Sequence, residues 1–141
     1  MNINKYIDKK YEKLSLKELI KAPVDAIQGI SEGDAKLLKE AFNVKTISDL
    51  AKLKYMKWAH AICLLADGED SKPGSYMNIN KFLDKKYEEM SFNELKFAPF
   101  DALAGVSGND AKLMREAFRR KELSKYAARA QAIVTLAEGE E

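Results

Sequence analysis

The chain has 141 residues, 46% apolar and 33% charged, enough for one ordinary globular domain or two very small ones. Its 24 basic and 22 acidic side chains leave a net charge of +2, too little to point to a polyanion partner on charge alone. A lone cysteine, Cys63, excludes an internal disulfide and suits a cytoplasmic or recombinant setting, while the absence of any apolar run near ~18 residues and of a signal-peptide core argues against a membrane role.

Helix-start signals recur along the chain. Ser15 with Glu18, Ser31 with Asp34 and Thr46 with Asp49 each place a carboxylate three residues after a hydroxyl cap, so that the two side chains satisfy each other's backbone amides. The spacing predicts helices over residues 3–13, 15–21, 23–28, 32–42, 47–53 and 55–66, with Pro23 in a first turn where its missing N–H costs nothing. Inward faces at helical spacing come from Leu37, Leu38, Ala41 and Phe42, from Ile47 and Leu50, and from Tyr55, Ala59, Ile62 and Leu65. No alternating β-branched run competes, so the expected class is all-α.

At Met77 the sequence begins again. Met1–Phe42 laid on Met77–Phe118 gives 26 identities in 42 positions, and after a gap of five residues the stretch 54–70 matches 125–141. The caps return as Ser91 with Glu94 and Ser107 with Asp110, and Pro99 repeats Pro23. The expected organisation is two tandem small helical domains, 1–67 and 77–141, joined by a polar Gly/Pro/Ser-rich linker at 68–76. A start-like methionine directly after that seam reads as the mark of an engineered fusion, a de novo or recombinant tandem. A domain of this size buries only about 60% of its unfolded surface, so each copy gains from packing on something else.

The stretch AIQGISEGDAKLLKEAFNVKTISDLA resembles the helix-hairpin-helix family: a short helix, a tight turn at Gly29–Ile30–Ser31, a small residue (Ala35) that lets the next helix approach closely, and a further helix. The second copy offers Gly105–Val106–Ser107 and Ala111. The resemblance implies phosphate contact through the turn amides, with Gly29, Ser31, Gly105 and Ser107 as the nucleic-acid-binding positions of an alternative reading. Serine stands where the family has a second glycine, and Glu32, Asp34 and Asp110 place carboxylates that compete with phosphate for those amides. Family members without DNA contact act as packing or protein-binding modules, and that function is the one favoured.

The copies differ where a partner could be read. Leu16 becomes Phe92, Val24 becomes Phe100, and Ile20–Lys21 becomes Lys96–Phe97, which moves the apolar position about 100° round a helix. The segment 43–53 shrinks to 119–124, so the second copy has one helix deleted or remodelled, and arginine occurs only there, at Arg115, Arg119, Arg120 and Arg129. Either the phenylalanines refill the vacated volume, or Phe92, Phe97 and Phe100 with Arg115, Arg119 and Arg120 form a protein-binding surface of the residue types that dominate hot spots. Its partner would be the other copy or another chain, including a homo-oligomer. Residues 107–137 contain no proline and no glycine after Gly108; they can form one long helix that docks on another molecule by domain swapping, or two helices with a break near Arg119–Glu122, which a 140° shift of the apolar stripe favours. His60 has no second ligand at metal spacing and Cys63 is expected as a small buried hydrophobe. Nothing nominates a catalytic group, cofactor or metal, and a non-catalytic protein is expected.

Overall fold

A computed structural model describes residues 1–70, 77–118 and 120–141, without the side chains of 120–122. The chain is all-α. Its helices are α1 (Leu16–Leu19), α2 (Glu32–Phe42), α3 (Ile47–Lys52), α4 (Lys54–Ala66), α5 (Phe92–Leu95), α6 (Gly108–Ala117) and α7 (Arg120–Ala137), with short 3₁₀ turns between them. Among the described residues no strand forms, only three isolated antiparallel bridges. No helix among them is long and apolar enough to cross a membrane.

The helix expected over 3–13 does not form. Two 3₁₀ turns, Asn4–Tyr6 and Lys9–Tyr11, flank an extended Ile7. The Asn2 carboxamide accepts from the Asn4 amide and the Asp8 carboxylate from the Lys10 amide. Such Asx side chains offer the backbone an alternative to helix. The extended stretch then bridges Ile7 to Ile27, with Asp8 donating to the Ala26 carbonyl and Gln28 to that of Tyr6, both at 2.8 Å. Residues 23–28 likewise hold only a 3₁₀ turn, Val24–Ala26.

The chain divides into two compact units, Met1–Leu53 with Leu113–Glu141, and Lys54–Lys112. In the first, capping boxes at Ser15, Ser31 and Thr46 start α1, α2 and α3, and Asn43, at φ 55°, ends α2 in the left-handed conformation. The segment leading into α3 is stitched on by backbone bonds: Val24 to the Lys45 carbonyl, Ile47 to that of Ala22 and Ser48 to that of Ile20, at 3.0–3.1 Å. Val24, Ile27, Leu38, Ile47 and Leu50 are the most completely buried large side chains. Helix α7 packs on α1 and α3 in this unit.

The second unit repeats the front of the first at a spacing of 76 residues. Leu83 bridges Leu103, Asp84 donates to the Ala102 carbonyl and Ala104 to that of Phe82, both at 2.8 Å. A capping box at Ser91 starts α5. Here it is α4 that packs on α5. The units therefore do not follow the boundaries of the repeats: the terminal helix of each repeat lies in the unit that holds the front of the other. The expected linker 68–76 also contributes structure at its start, since Gly68 and Glu69 continue the end of α4 with bonds to the Leu65 and Ala66 carbonyls; residues 71–76 lie outside the described residues. Residues 107–137 hold two helices, α6 and α7, with non-helical Phe118 between them.

Candidate protein-association site

Each unit holds its terminal helix in a seat built from the same parts. The first is the glycine turn. Gly29 has φ 102° and Gly105 φ 93°, a region that L side chains adopt only with strain. Each glycine is covered by a tyrosine from the terminal helix. A methyl group at Gly29 would collide with the Tyr126 hydroxyl, and one at Gly105 would stand 2.6 Å from the Tyr55 hydroxyl. Tyr55 and Tyr126 open the matched segments 54–70 and 125–141 at equivalent places.

The far end of each helix carries a glutamate. Glu140 accepts from the Leu16 amide at 2.8 Å and the Lys17 amide at 3.0 Å. Glu69 accepts from the Phe92 amide at 2.9 Å and from the Asn93 amide and side-chain amide at 3.0 Å. The bonds from Lys17 and Leu16, with that of the Ser15 hydroxyl and the Lys17 charge, hold the Glu140 carboxyl below its ordinary range. Bonds from Asn93 and Phe92, with help from Ser91, do the same for Glu69.

Between these ends the buried faces are in register. Met56, Ala59, Ile62 and Ala66 of α4 are buried, and so are Ala127, Ala130, Ile133 and Ala137 of α7 at the matching positions. Alanines on the inner face let a helix approach closely. One position differs between the seats in a paired way: the Arg129 guanidinium lies 4.6 Å over the Tyr6 ring, whereas the Trp58 ring meets Phe82 tilted by 53°, with centroids 4.8 Å apart. Both contacts bring a residue of the terminal helix onto an aromatic ring of the front.

The residues expected to bind a protein are placed less coherently. Phe97 is 82% exposed, with the Lys96 amine 5.1 Å over its ring. Phe92 and Phe100 are half-buried. These three belong to the unit Lys54–Lys112, while exposed Arg115 belongs to the other. Arg119 lies outside the described residues, and Arg120 opens α7 without a described side chain. The turns expected for phosphate are occupied by the chain itself. The Ser31 hydroxyl accepts from the Asp34 amide at 3.0 Å while Asp34 accepts from the Ser31 amide at 3.3 Å, and the Ser107 hydroxyl accepts from the Asp110 amide at 3.0 Å. Cys63 is exposed, contrary to expectation, because Ile62 and Ala66 take the inward face of α4. Among the described residues no group of three or more His, Cys, Asp or Glu side chains is arranged to hold a metal ion.

The seats are not among the sites that the sequence singles out. Their signal was the identity of Tyr55 with Tyr126 and of Glu69 with Glu140 across the two terminal segments. Compared with known proteins, the chain matches no family model, no curated protein and no solved structure.

Proposed function

We propose that this protein is a non-catalytic protein-association module, a tandem of helix-hairpin-helix-type domains whose binding chemistry is the seating of an amphipathic helix. The observation that carries this reading is the reciprocal pairing: the front of each repeat holds the terminal helix of the other through the same tyrosine, alanine, isoleucine and glutamate positions. Two seats built alike hold helices that differ at 56/127 and 58/129, as a recognition surface would, and each small front buries apolar area that it could not bury alone.

The patch of Phe92, Phe97 and Phe100 with its arginines has the exposure of Phe97 in its favour and stands second to the seats. The phosphate reading has less support, because the Ser31 amide already donates to Asp34, the Ile30 and Val106 amides donate to the Ile27 and Leu103 carbonyls, and tyrosines cover the glycines. Duplex DNA titrated at low salt should show no binding that falls steeply with ionic strength.

The test is a protease site placed within 71–76 and cut after folding. The halves 1–70 and 77–141 should co-elute as one species of the 15.9 kDa chain's size and part only in denaturant. Halves that separate under native conditions, each folded, would end this reading.

A further inference from the structure

Every seat contact joins residues 1–70 to residues 77–141. Tyr126 covers Gly29, Glu140 holds Leu16 and Lys17, and Arg129 lies over Tyr6; in the other direction Tyr55 covers Gly105, Glu69 holds Phe92 and Asn93, and Trp58 meets Phe82. Each unit is thus assembled from both halves, and the covalent connection between the halves is the segment 71–76. Nothing in a seat distinguishes a terminal helix of the same chain from that of another.

We propose that residues 1–70 of one molecule also lock with residues 77–141 of a second copy of this chain, and reciprocally, to give a closed two-chain dimer in which both seats are filled in trans. The proposal rests on the reading of the seats as association surfaces and adds the partner. The contacts are identical in the two forms, so the balance between them is set by the tether, as in domain exchange generally. Joining two parts through a few residues gives an effective concentration on the order of 1 mM, a value that falls as the connection lengthens and collapses when it is too short to span. The single chain should therefore prevail in dilute solution and the dimer should emerge as its concentration approaches that range. Tether length, rather than any surface substitution, should control the ratio.

The experiment uses the whole chain with its natural tether, with 72–75 deleted, and with about ten Gly/Ser residues added between 71 and 76. Light scattering during size exclusion gives the mass, and native mass spectrometry of mixed isotopically labelled and unlabelled chains gives the composition. The expected result is 15.9 kDa for the natural chain at micromolar concentration, mixed-label dimers of twice that mass on concentration, at least a tenfold rise in dimer at fixed concentration for the deletion, and a fall for the longer tether. A deletion variant that stays at one-chain mass, or a dimer indifferent to tether length, overturns the proposal. So does a dimer lost in Phe97→Ser, which would place the contact on the exposed patch instead. If the protease-cut halves co-elute and yet no tether length yields dimer, only the trans form fails; if the cut halves separate, the underlying reading fails first.

Discussion

A double-mutant cycle can decide which helix sits over which turn. Gly29→Ala forces a side chain into φ 102° and drives its methyl against the Tyr126 hydroxyl and ring. The backbone part costs about 1–2 kcal/mol wherever the tyrosine lies, and the collision adds roughly 1–3 kcal/mol, as overpacking does. Tyr126→Leu removes the atoms that collide but leaves the backbone strain, so the strain cancels in the cycle and the collision remains as a coupling of about 1–2 kcal/mol. Four cycles measured by urea unfolding complete the argument. Gly29 should couple to Tyr126 and Gly105 to Tyr55, while Gly29 with Tyr55 and Gly105 with Tyr126 should be additive within about 0.5 kcal/mol. The opposite pattern, coupling within each repeat, would show that every terminal helix returns to its own front and would refute the seats as described.

The glutamate clamps give a pH dependence. Glu69 and Glu140 are held below the ordinary 4.5 when folded, so their stabilising effect is present above that value and is lost as pH falls through the lower folded one. Glu69→Gln and Glu140→Gln should each weaken the protein at neutral pH and flatten its acid unfolding curve below about pH 4.5; curves that run parallel to the parent's would count against the clamps. Ile133→Ala, at a position 6% exposed, should cost about 2–5 kcal/mol, whereas Leu136→Ala, at 65% exposed, should stay within about 0.5 kcal/mol, and equal losses would mean the inner face of α7 is misassigned. Thr46→Ala, which removes the hydroxyl that accepts from the Asp49 amide at 3.1 Å, should cost about 1 kcal/mol in the same assay.

Local rules carried most of the helix boundaries. Ser31 with Asp34 and Thr46 with Asp49 mark starts that the backbone obeys, and α2 covers the expected 32–42. They failed over 3–13, where lysines and i,i+4 charge pairs suit a helix but Asn2 and Asp8 satisfy amides locally and Ile7 does better bridged to Ile27. The seats were illegible for another reason. Periodicity places Ile62 on the inward face, but the same pattern serves a helix folded on its own front and one folded on its neighbour's. Substitution between the repeats drew attention to Phe97, a residue that differs and is exposed, when the contact-bearing residues Tyr55, Tyr126, Glu69 and Glu140 were those that did not differ.

That sameness also explains how the exchange can arise. Of the side chains that enter the seats, the tyrosine, the glutamate and three inner positions (Ala59/Ala130, Ile62/Ile133 and Ala66/Ala137) are common to α4 and α7, so the two fronts hold their helices through largely the same contacts. The residues that differ include buried Met56 against buried Ala127 as well as Trp58 against Arg129 and Phe82 against Tyr6; each aromatic or cation contact contributes about 0.5–1.5 kcal/mol. Connectivity differs as well. In the first repeat α2 and α4 are separated by Asn43–Leu53, which contains α3 and its extended lead-in. In the second, five residues fewer connect the equivalent points and α7 already begins at Arg120. With this shorter connection, Tyr126 of α7 covers Gly29 and not Gly105. With α7 in the seat at Gly29, the seat at Gly105 is the one left for α4, and that is the pairing observed.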